Sequence, residues 1–226
     1  MWGKRLCAVI MTGLACLLYV VYIQTEPSKG DGVQLVDGQR FYEKTVAITF
    51  DDGPRAGCTK RLLDGLKERG IRATFFLVGQ NIPGNEELVR QMKKDGHVIG
   101  NHTYSHVELG KLSHEAAMNE INKTNVLIEE ITGEPVVYIR PPCGSWKDGM
   151  IFEVDMTPVF WSVDPKDWCT EDSAAVVKRV VSNVNDGDII LFHDIYDSSV
   201  TAALEVIDRL KAQGYVFVTI DEILIE

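Results

Sequence analysis

The sequence predicts an α/β fold with a mainly parallel sheet, either open or closed into a barrel. From Val46 onward, short runs rich in β-branched and aromatic residues alternate with amphipathic stretches typical of helices. Most of the apolar runs are nearly continuous, as expected for strands that are covered on both faces. About seven strands in roughly 180 residues would form a barrel smaller than the usual eightfold one.

Seven strand candidates and five helix candidates follow one another along this region. In chain order the strands are VAITF, RATFFLV, HVIGN, VVYIRP, TPVFWSV, DIILFH and YVFVTI. The helical patterns are CTKRLLDGLKERG, NEELVRQMKKDG, SHEAAMNEINKTNVLIEEITG, DSAAVVKRVVSNVNDG and SSVTAALEVIDRLKAQG. Ser113 and Asp172 are residue types favoured at helix N-caps. Several helical patterns close on a glycine, which is common at helix C-termini: Gly70, Gly96, Gly133 and Gly214.

The composition is that of one globular domain with an acidic surface. The chain has 226 residues, of which 45% are hydrophobic and 25% are charged, and its formal net charge is -10. Nucleic-acid binding usually requires clustered Lys and Arg, and the sequence has no such cluster. We therefore expect no nucleic-acid partner, and we expect the protein to be a monomer.

The N-terminal residues differ in kind from the rest. After Lys4 and Arg5, the apolar run from Leu6 to Ile23 would, as a helix, approach the hydrocarbon thickness of a bilayer, about 30 Å. We interpret residues 1–25 as a membrane anchor or a cleaved signal segment, and we favour the uncleaved transmembrane helix. Residues 26–44 are interpreted as a polar tether. Either alternative predicts that the body of the protein works outside the cytoplasm.

Titratable residues follow the strand candidates with unusual regularity. Because the C-terminal ends of parallel strands carry the active site in such folds, these residues predict a site at one rim of the sheet. In chain order they are Asp51, Asp52, His102, His106, Arg140, Asp164, Asp167, His193 and Asp194.

The stretch HTYSH indicates a metal site. Its two histidines are four residues apart, a spacing that would bring both imidazoles to one face of a helical turn. Successive residues of an extended strand point to opposite sides, so one of the two aspartates in TFDDGP can bind the metal while the other acts as a base. Taken singly, HTYSH could also be two surface histidines, and DDGP could be an acidic turn.

Five motifs occur in the order and spacing of those of a known family: TFDDGP, HTYSH, RPPCGSW, DPKDW and LFHD. From Thr45 to Glu226 the chain resembles the polysaccharide deacetylases, the NodB-like domain of carbohydrate esterase family 4, and in particular membrane-anchored peptidoglycan N-acetylglucosamine deacetylases. The resemblance implies a distorted, incomplete (β/α) barrel with about seven parallel strands as a catalytic domain over residues 45–226.

The resemblance also implies roles for individual residues. Asp52, His102 and His106 would hold one divalent metal ion, commonly zinc. Asp51 would be the general base, oriented by Arg140.

The remaining implied roles concern the leaving group and the acetyl group. The backbone N–H of Cys143 would stabilise the oxyanion, although the family often has a larger residue there. His193, held by Asp167, would protonate the leaving amine. Further residues would contact substrate: Trp168 and Leu191 at the acetyl methyl group, with Pro141 and Trp146.

The resemblance leaves the substrate open. We expect peptidoglycan, with its N-acetylglucosamine favoured over its N-acetylmuramic acid. The alternatives are chitooligosaccharide or exopolysaccharide deacetylation, removal of acetyl esters from xylan, and a catalytically silent glycan-binding protein.

Cysteines add one further expectation. Cys58, Cys143 and Cys169 lie in the body, and their spacings match no zinc-binding pattern. Cys58 and Cys169 both follow active-site motifs, so a disulfide across the cleft is one interpretation, and two free thiols are the favoured one.

Overall fold

The computed structural model describes residues 33–36, 39–42, 44–146 and 156–224. These residues lie within one compact unit that spans Val33–Glu226. The predicted anchor or signal segment, residues 1–25, lies outside them. Among the helices that are described, none combines the length and apolar character needed to cross a membrane.

Strands and helices alternate through the described residues. The strands are β1 (Val33–Val36), β2 (Gln39–Tyr42), β3 (Lys44–Asp51), β4 (Thr74–Leu77), β5 (Val98–Asn101), β6 (Tyr138–Ile139), β7 (Thr157–Pro158), β8 (Asp188–His193) and β9 (Tyr215–Val218). The helices are α1 (Ala56–Arg69), α2 (Glu86–Lys94), α3 (His114–Thr132), α4 (Ser173–Val181), α5 (Asp197–Ala212) and α6 (Ile220–Ile223).

Seven of these strands form a single sheet in which every pairing is parallel. Its order is β7-β6-β5-β4-β3-β8, and β9 pairs with the first half of β3. Each strand predicted from the sequence overlaps one strand of this sheet, and each of the five helical patterns overlaps one of α1–α5. The curled, incomplete barrel of parallel strands is therefore confirmed.

The segment predicted as a polar tether, residues 26–44, contains regular structure. β1 and β2 pair antiparallel, with Val33 opposite Tyr42 and Val36 opposite Gln39. The dipeptide Asp37-Gly38, which lies between these two strands in the sequence, is typical of tight hairpins. The polar composition of the segment favoured a tether instead.

Successive side chains of β3 point to opposite sides of the sheet, with the two-residue period of a strand. Val46, Ile48 and Phe50 belong to the large core between the sheet and the helices, where the Phe50 ring lies 5.3 Å from the ring of Phe75. The alternate residues Thr49 and Asp51 point to the other side, where both contact an arginine described below. The side chains that precede the active-site loop are thus fixed by a packed core behind them.

The predicted helix caps are present. Ser113 Oγ accepts a hydrogen bond from the N–H of Ala116 at 3.3 Å, and Asp172 Oδ1 accepts one from Ala175 at 3.0 Å. Gly70 and Gly133 end α1 and α3 in left-handed conformation, with φ of 64° and 71°.

The three cysteines of the body are free thiols. Cys58 lies in the first turn of α1 and is buried in the core, whereas Cys169 is exposed and its Sγ donates to the carbonyl of Lys166 at 3.1 Å. The favoured expectation of two free thiols is confirmed, and the disulfide is wrong because one sulfur faces the core and the other a surface turn.

Candidate metal and catalytic site

Asp52, His102 and His106 converge at the C-terminal rim of the sheet. Asp52 Oδ1 lies 3.1 Å from His106 Nε2 and 3.5 Å from His102 Nε2. One ligand atom from each of the three side chains lies within 4.8 Å of the other two. The predicted metal-binding residues are therefore brought together.

The backbone achieves this convergence differently from what the sequence spacing suggested. His102 and His106 lie in a loop rather than a helical turn, because Thr103 and His106 adopt left-handed conformation with φ of 63° and 57°. Asp52 is also left-handed, with φ of 75°, so it does not continue the strand. Asp51 Oδ2 lies 3.7 Å from His102 Nε2, so both aspartates turn toward one imidazole. The two aspartates therefore do not point to opposite sides of a strand, contrary to the expectation from the sequence.

The chemistry of this donor set fits a divalent ion. Asp52 Oδ1 is buried and has no hydrogen-bond partner among the described residues. His102 Nδ1 lies 2.5 Å from the carbonyl oxygen of Arg140, to which it donates when neutral, so its Nε2 lone pair faces Asp52. Burial lowers the pKa of His102 and so favours that neutral form. Two imidazoles and one carboxylate leave a position open for water, as in catalytic zinc sites.

Arg140 is fully buried and holds Asp51. Its NH1 group donates to Asp51 Oδ1 at 2.9 Å and to Thr49 Oγ1 at 2.6 Å, while NH2 and Nε donate to backbone carbonyls at 3.2 and 3.3 Å. The guanidinium also lies over the ring of Phe76, 4.3 Å from its centroid. Because all these partners fix its orientation, the Asp51 carboxylate is fixed as well.

His193 and Asp167 form the second predicted pair. His193 Nδ1 donates to Asp167 Oδ1 at 2.9 Å, and the backbone N–H of His193 donates to the other carboxylate oxygen at 2.9 Å. Burial alone would lower the pKa of His193, but the hydrogen bond and charge of Asp167, with Asp51 and Asp52 nearby, raise it to about 9. In the sheet, Asp51 pairs directly with His193, so the predicted base and acid stand on adjacent strand ends.

The third motif forms a tight turn over Pro142–Gly144. Cys143 is exposed with φ of 57°, and Gly144 follows with φ of 64°. Pro141 is buried at the start of the turn. Trp146 is partly buried and packs against a small apolar cluster that includes Leu109 and Ile139.

The predicted acetyl-slot residues differ in exposure. Trp168 has 55% of its surface exposed and lies in the short turn Asp167–Cys169, next to the aspartate that holds His193. Leu191 is buried on β8, two residues before His193 on the same face of the strand.

Asn101 supports the site without having been predicted. Its Oδ1 accepts from the N–H of Thr103 at 2.7 Å, and its Nδ2 donates to Asn125 and to the carbonyl of Ile121 at 2.6 and 2.9 Å. It therefore fixes the first turn of the histidine loop. The available sequence signal is an amide side chain at the end of an apolar strand, because a buried amide there requires hydrogen-bond partners.

Asp194 is a second supporting residue, at the end of β8. It is fully buried, its Oδ2 accepts from Thr59 Oγ1 at 2.5 Å, and burial raises its pKa to about 7. A Cβ placed on Gly53 would lie 2.3 Å from Asp194 Oδ1, so only glycine fits next to Asp52. Asp194 was noted at the rim, but its packing against this glycine has no sequence signature.

Known proteins resemble this chain closely. Residues 38–157 match the family model described as polysaccharide deacetylase. The chain is 40% identical over 181 residues to the peptidoglycan-N-acetylmuramic acid deacetylase PdaC of Bacillus subtilis (strain 168), covering 80% of this chain and 39% of PdaC. The chain thus spans about two fifths of the length of that curated relative. A peptidoglycan-N-acetylglucosamine deacetylase of Bacillus cereus (strain ATCC 14579) is 39% identical over 190 residues, covering 80% of this chain and 89% of the relative.

Solved structures agree with these matches. The structure of PdaC from Bacillus subtilis aligns with a TM-score of 0.77 at 40% identity, covering 80% of this chain and 90% of the other. A mutant of a carbohydrate esterase family 4 pseudoenzyme aligns with a TM-score of 0.75 at 31% identity, covering 80% and 67% of the two chains.

Fold, site and similarity together define a carbohydrate-active hydrolase domain. The chain belongs to the polysaccharide deacetylase family, carbohydrate esterase family 4. Deacetylases of this family are metal-dependent, in agreement with the Asp-His-His cluster.

Proposed function

We propose that this protein is a metal-dependent deacetylase that removes N-acetyl groups from an extracytoplasmic glycan, with the N-acetylglucosamine of peptidoglycan as substrate. The observation that carries the proposal is the meeting of three elements at one rim. These are the cluster of Asp52 with His102 and His106, the Asp51 carboxylate fixed by Arg140, and the His193 imidazole fixed by Asp167.

A divalent ion held by the cluster, most simply zinc, would lower the pKa of a water at the open position and polarise the acetamide carbonyl. Asp51 takes a proton from the attacking water, and Arg140 keeps the carboxylate aimed. The N–H of Cys143 donates to the oxyanion.

His193 then gives its proton to the leaving amine nitrogen. An amine is a poor leaving group unless it is protonated, so an amide substrate requires an acid that still carries its proton near neutral pH. The pKa of His193, raised to about 9, meets this requirement. Trp168 and Leu191 line the slot for the acetyl methyl group, and Pro141 and Trp146 contact substrate beside the turn that carries Cys143.

Two relatives named as peptidoglycan deacetylases favour peptidoglycan over chitooligosaccharides, exopolysaccharides or acetylated xylan. A silent glycan-binding protein is the non-enzymatic alternative, since the family includes pseudoenzymes. Every side chain proposed as acid, base or metal ligand is present in this chain, which supports the enzyme over the silent glycan-binding protein.

We also propose that residues 1–25 anchor the protein in the cell membrane, with the catalytic domain outside the cytoplasm. The support is the apolar run behind Lys4 and Arg5. We further propose that the protein is a monomer. Deletion of residues 1–25 should move the protein from the membrane fraction to the soluble fraction.

Acetate release from peptidoglycan and chitooligosaccharides by the zinc-loaded protein tests the activity. We expect Asp51→Asn and His193→Ala to lose roughly 100-fold or more in kcat/KM, because each removes a proton-transfer group. Asp164→Asn is the matched control, since Asn can still accept from Lys166 as Asp164 does. No release by a metal-loaded protein from any acetylated glycan would favour the silent binding protein, and an unimpaired Asp51→Asn would refute the base.

A further inference from the structure

A polar recess lies beside the metal cluster and has no part in the chemistry described above. It has a volume of about 410 Å³ and is lined by Arg55, Gln80, Asn81, Asn85 and parts of the loops that follow β3 and β8. No acidic side chain is among its described lining residues. The recess therefore contrasts with the acidic cluster next to it.

Two contacts tie the recess to the catalytic loops. Asn81 Nδ2 donates to the backbone carbonyl of Asp52 at 2.8 Å, and Arg55 NH1 donates to the carbonyl of Ile195, two residues after His193, at 2.5 Å. Its walls are thus continuous with the metal-binding loop on one side and the acid-bearing loop on the other.

Arg55 carries an unneutralised charge there. Within the described residues no carboxylate pairs with Arg55, and its guanidinium makes a single hydrogen bond, the one to Ile195, which leaves most of the guanidinium N–H groups without a partner. The other exposed arginines among the described residues each contact a carboxylate: Arg61, Arg72, Arg90 and Arg209. A guanidinium anchored at one nitrogen is pre-organised to bind a carboxylate with the others.

The amide side chains of the recess complement sugar hydroxyls. Asn85 Nδ2 donates to the carbonyl of Asn81 at 2.9 Å, which leaves its Oδ1 as an acceptor, and Gln80 is exposed beside it. Together with Arg55 they match a sugar that carries both hydroxyls and a carboxylate.

We propose that this recess is a subsite for a carboxylate-bearing sugar bonded to the one being deacetylated, and that Arg55 binds the carboxylate. The inference rests on the proposed deacetylase function and narrows its substrate class. In peptidoglycan every second sugar carries a lactyl acid, whose carboxyl is either free or joined to a stem peptide with carboxylates of its own. Chitin has no such group, so Arg55 would favour peptidoglycan over neutral polymers of the same sugar.

The test compares three oligomers of equal length with the full zinc-loaded protein. They are a neutral N-acetylglucosamine oligomer, a peptide-free peptidoglycan oligomer with free lactyl carboxylates, and the same oligomer with stem peptides attached. For Arg55→Gln we expect the ratio of kcat/KM on acidic to neutral oligomer to fall about tenfold, the scale of one charge-assisted hydrogen bond. Arg55→Lys should keep part of the ratio, and high salt should reduce the wild-type ratio.

The controls answer three questions: whether the positive charge must lie at Arg55, which carboxylate it binds, and whether the protein is a deacetylase. Arg209→Gln removes the same charge from α5 and should leave the ratio unchanged. A fall confined to the peptide-free oligomer identifies the lactyl carboxylate, and a fall confined to the peptide-bearing one identifies the stem. An unchanged ratio with both, or an equal loss on acidic and neutral oligomers, overturns the proposal. If no oligomer releases acetate, the deacetylase function fails, and calorimetry still tests Arg55 through an about tenfold rise in Kd for the acidic oligomer.

Discussion

Arg140 serves two functional groups with two different parts of one residue. Its guanidinium holds the Asp51 carboxylate, and its backbone carbonyl accepts from the Nδ1 of His102. The proposed base and one imidazole of the proposed metal cluster are therefore oriented by a single buried residue. Lysine could not replace it, because one ammonium group cannot donate to Asp51, Thr49 and two backbone carbonyls in this fixed fork geometry.

The carboxylate of Asp167 sets the protonation of His193, and its removal should be visible in a pH profile. In Asp167→Asn the pKa of His193 falls from about 9 toward its ordinary value of 6.5, because burial is no longer outweighed by a neighbouring charge. His193 acts in its protonated form, so activity is lost as pH rises through this pKa. We expect the alkaline limb of kcat/KM to move to lower pH, measured by acetate release between about pH 6 and pH 10.

Asp164→Asn is the control for this shift, since Asp164 lies on the same loop but contacts Lys166 rather than His193. An alkaline limb that stays at the wild-type position in Asp167→Asn would remove His193 as the acid.

At the level of elements, local sequence signals were sufficient where the backbone is regular. The near-continuous apolar runs identified all seven parallel strands, because strands covered on both faces leave few positions for polar residues. Capping residues marked the starts of α3 and α4 correctly. The helical turn expected for HTYSH was wrong, because Thr103 and His106 adopt left-handed conformations that spacing alone does not reveal.

The same limit applies to the supporting residues. Asp52, His102 and His106 were found because their side-chain chemistry is distinctive. Thr49 and Asn101 were missed because their role depends on partners distant in sequence, such as Arg140 and Asn125. A threonine in an apolar strand gives no sign of a supporting role until the position of Arg140 in the fold is known.

The N-cap of α3 offers a test of helix stability away from the site. Ser113→Ala removes the acceptor for the N–H of Ala116 and should lower the free energy of unfolding by about 1 kcal/mol. Ser113→Gly should lower the free energy of unfolding by only a few tenths of 1 kcal/mol, since glycine lets water reach the same N–H. Urea denaturation of both variants measures the difference, and equal losses in the two would argue against the cap.

For the whole molecule, the metal cluster joins segments that are distant in the chain. Asp52 follows β3, whereas His102 and His106 follow β5, so a bound ion adds a cross-link that the unfolded chain lacks. Zinc at about 100 times its Kd should stabilise the fold by about 2.7 kcal/mol. The corresponding rise in Tm is roughly 5–10 °C in a domain of this size.

His106→Ala should abolish most of this rise, and a chelator should reverse it in the wild type. His114→Ala, a change of the same type on α3, should respond to zinc as the wild type does. A zinc-induced shift of equal size in His106→Ala, read by thermal denaturation, would place the ion elsewhere.

β3 pairs with three strands, and two of them come from the far end of the sequence. Its partners β8 and β9 begin at Asp188 and Tyr215, more than 140 residues after the positions they pair with. On the ribosome, almost the whole domain is therefore synthesised before the strand that carries Asp51 gains two of its three neighbours. Such long-range pairing predicts slow folding. A chain arrested before β8 would hold Asp52, His102 and His106, yet it would lack His193 and the two strands, β8 and β9, that pair with β3.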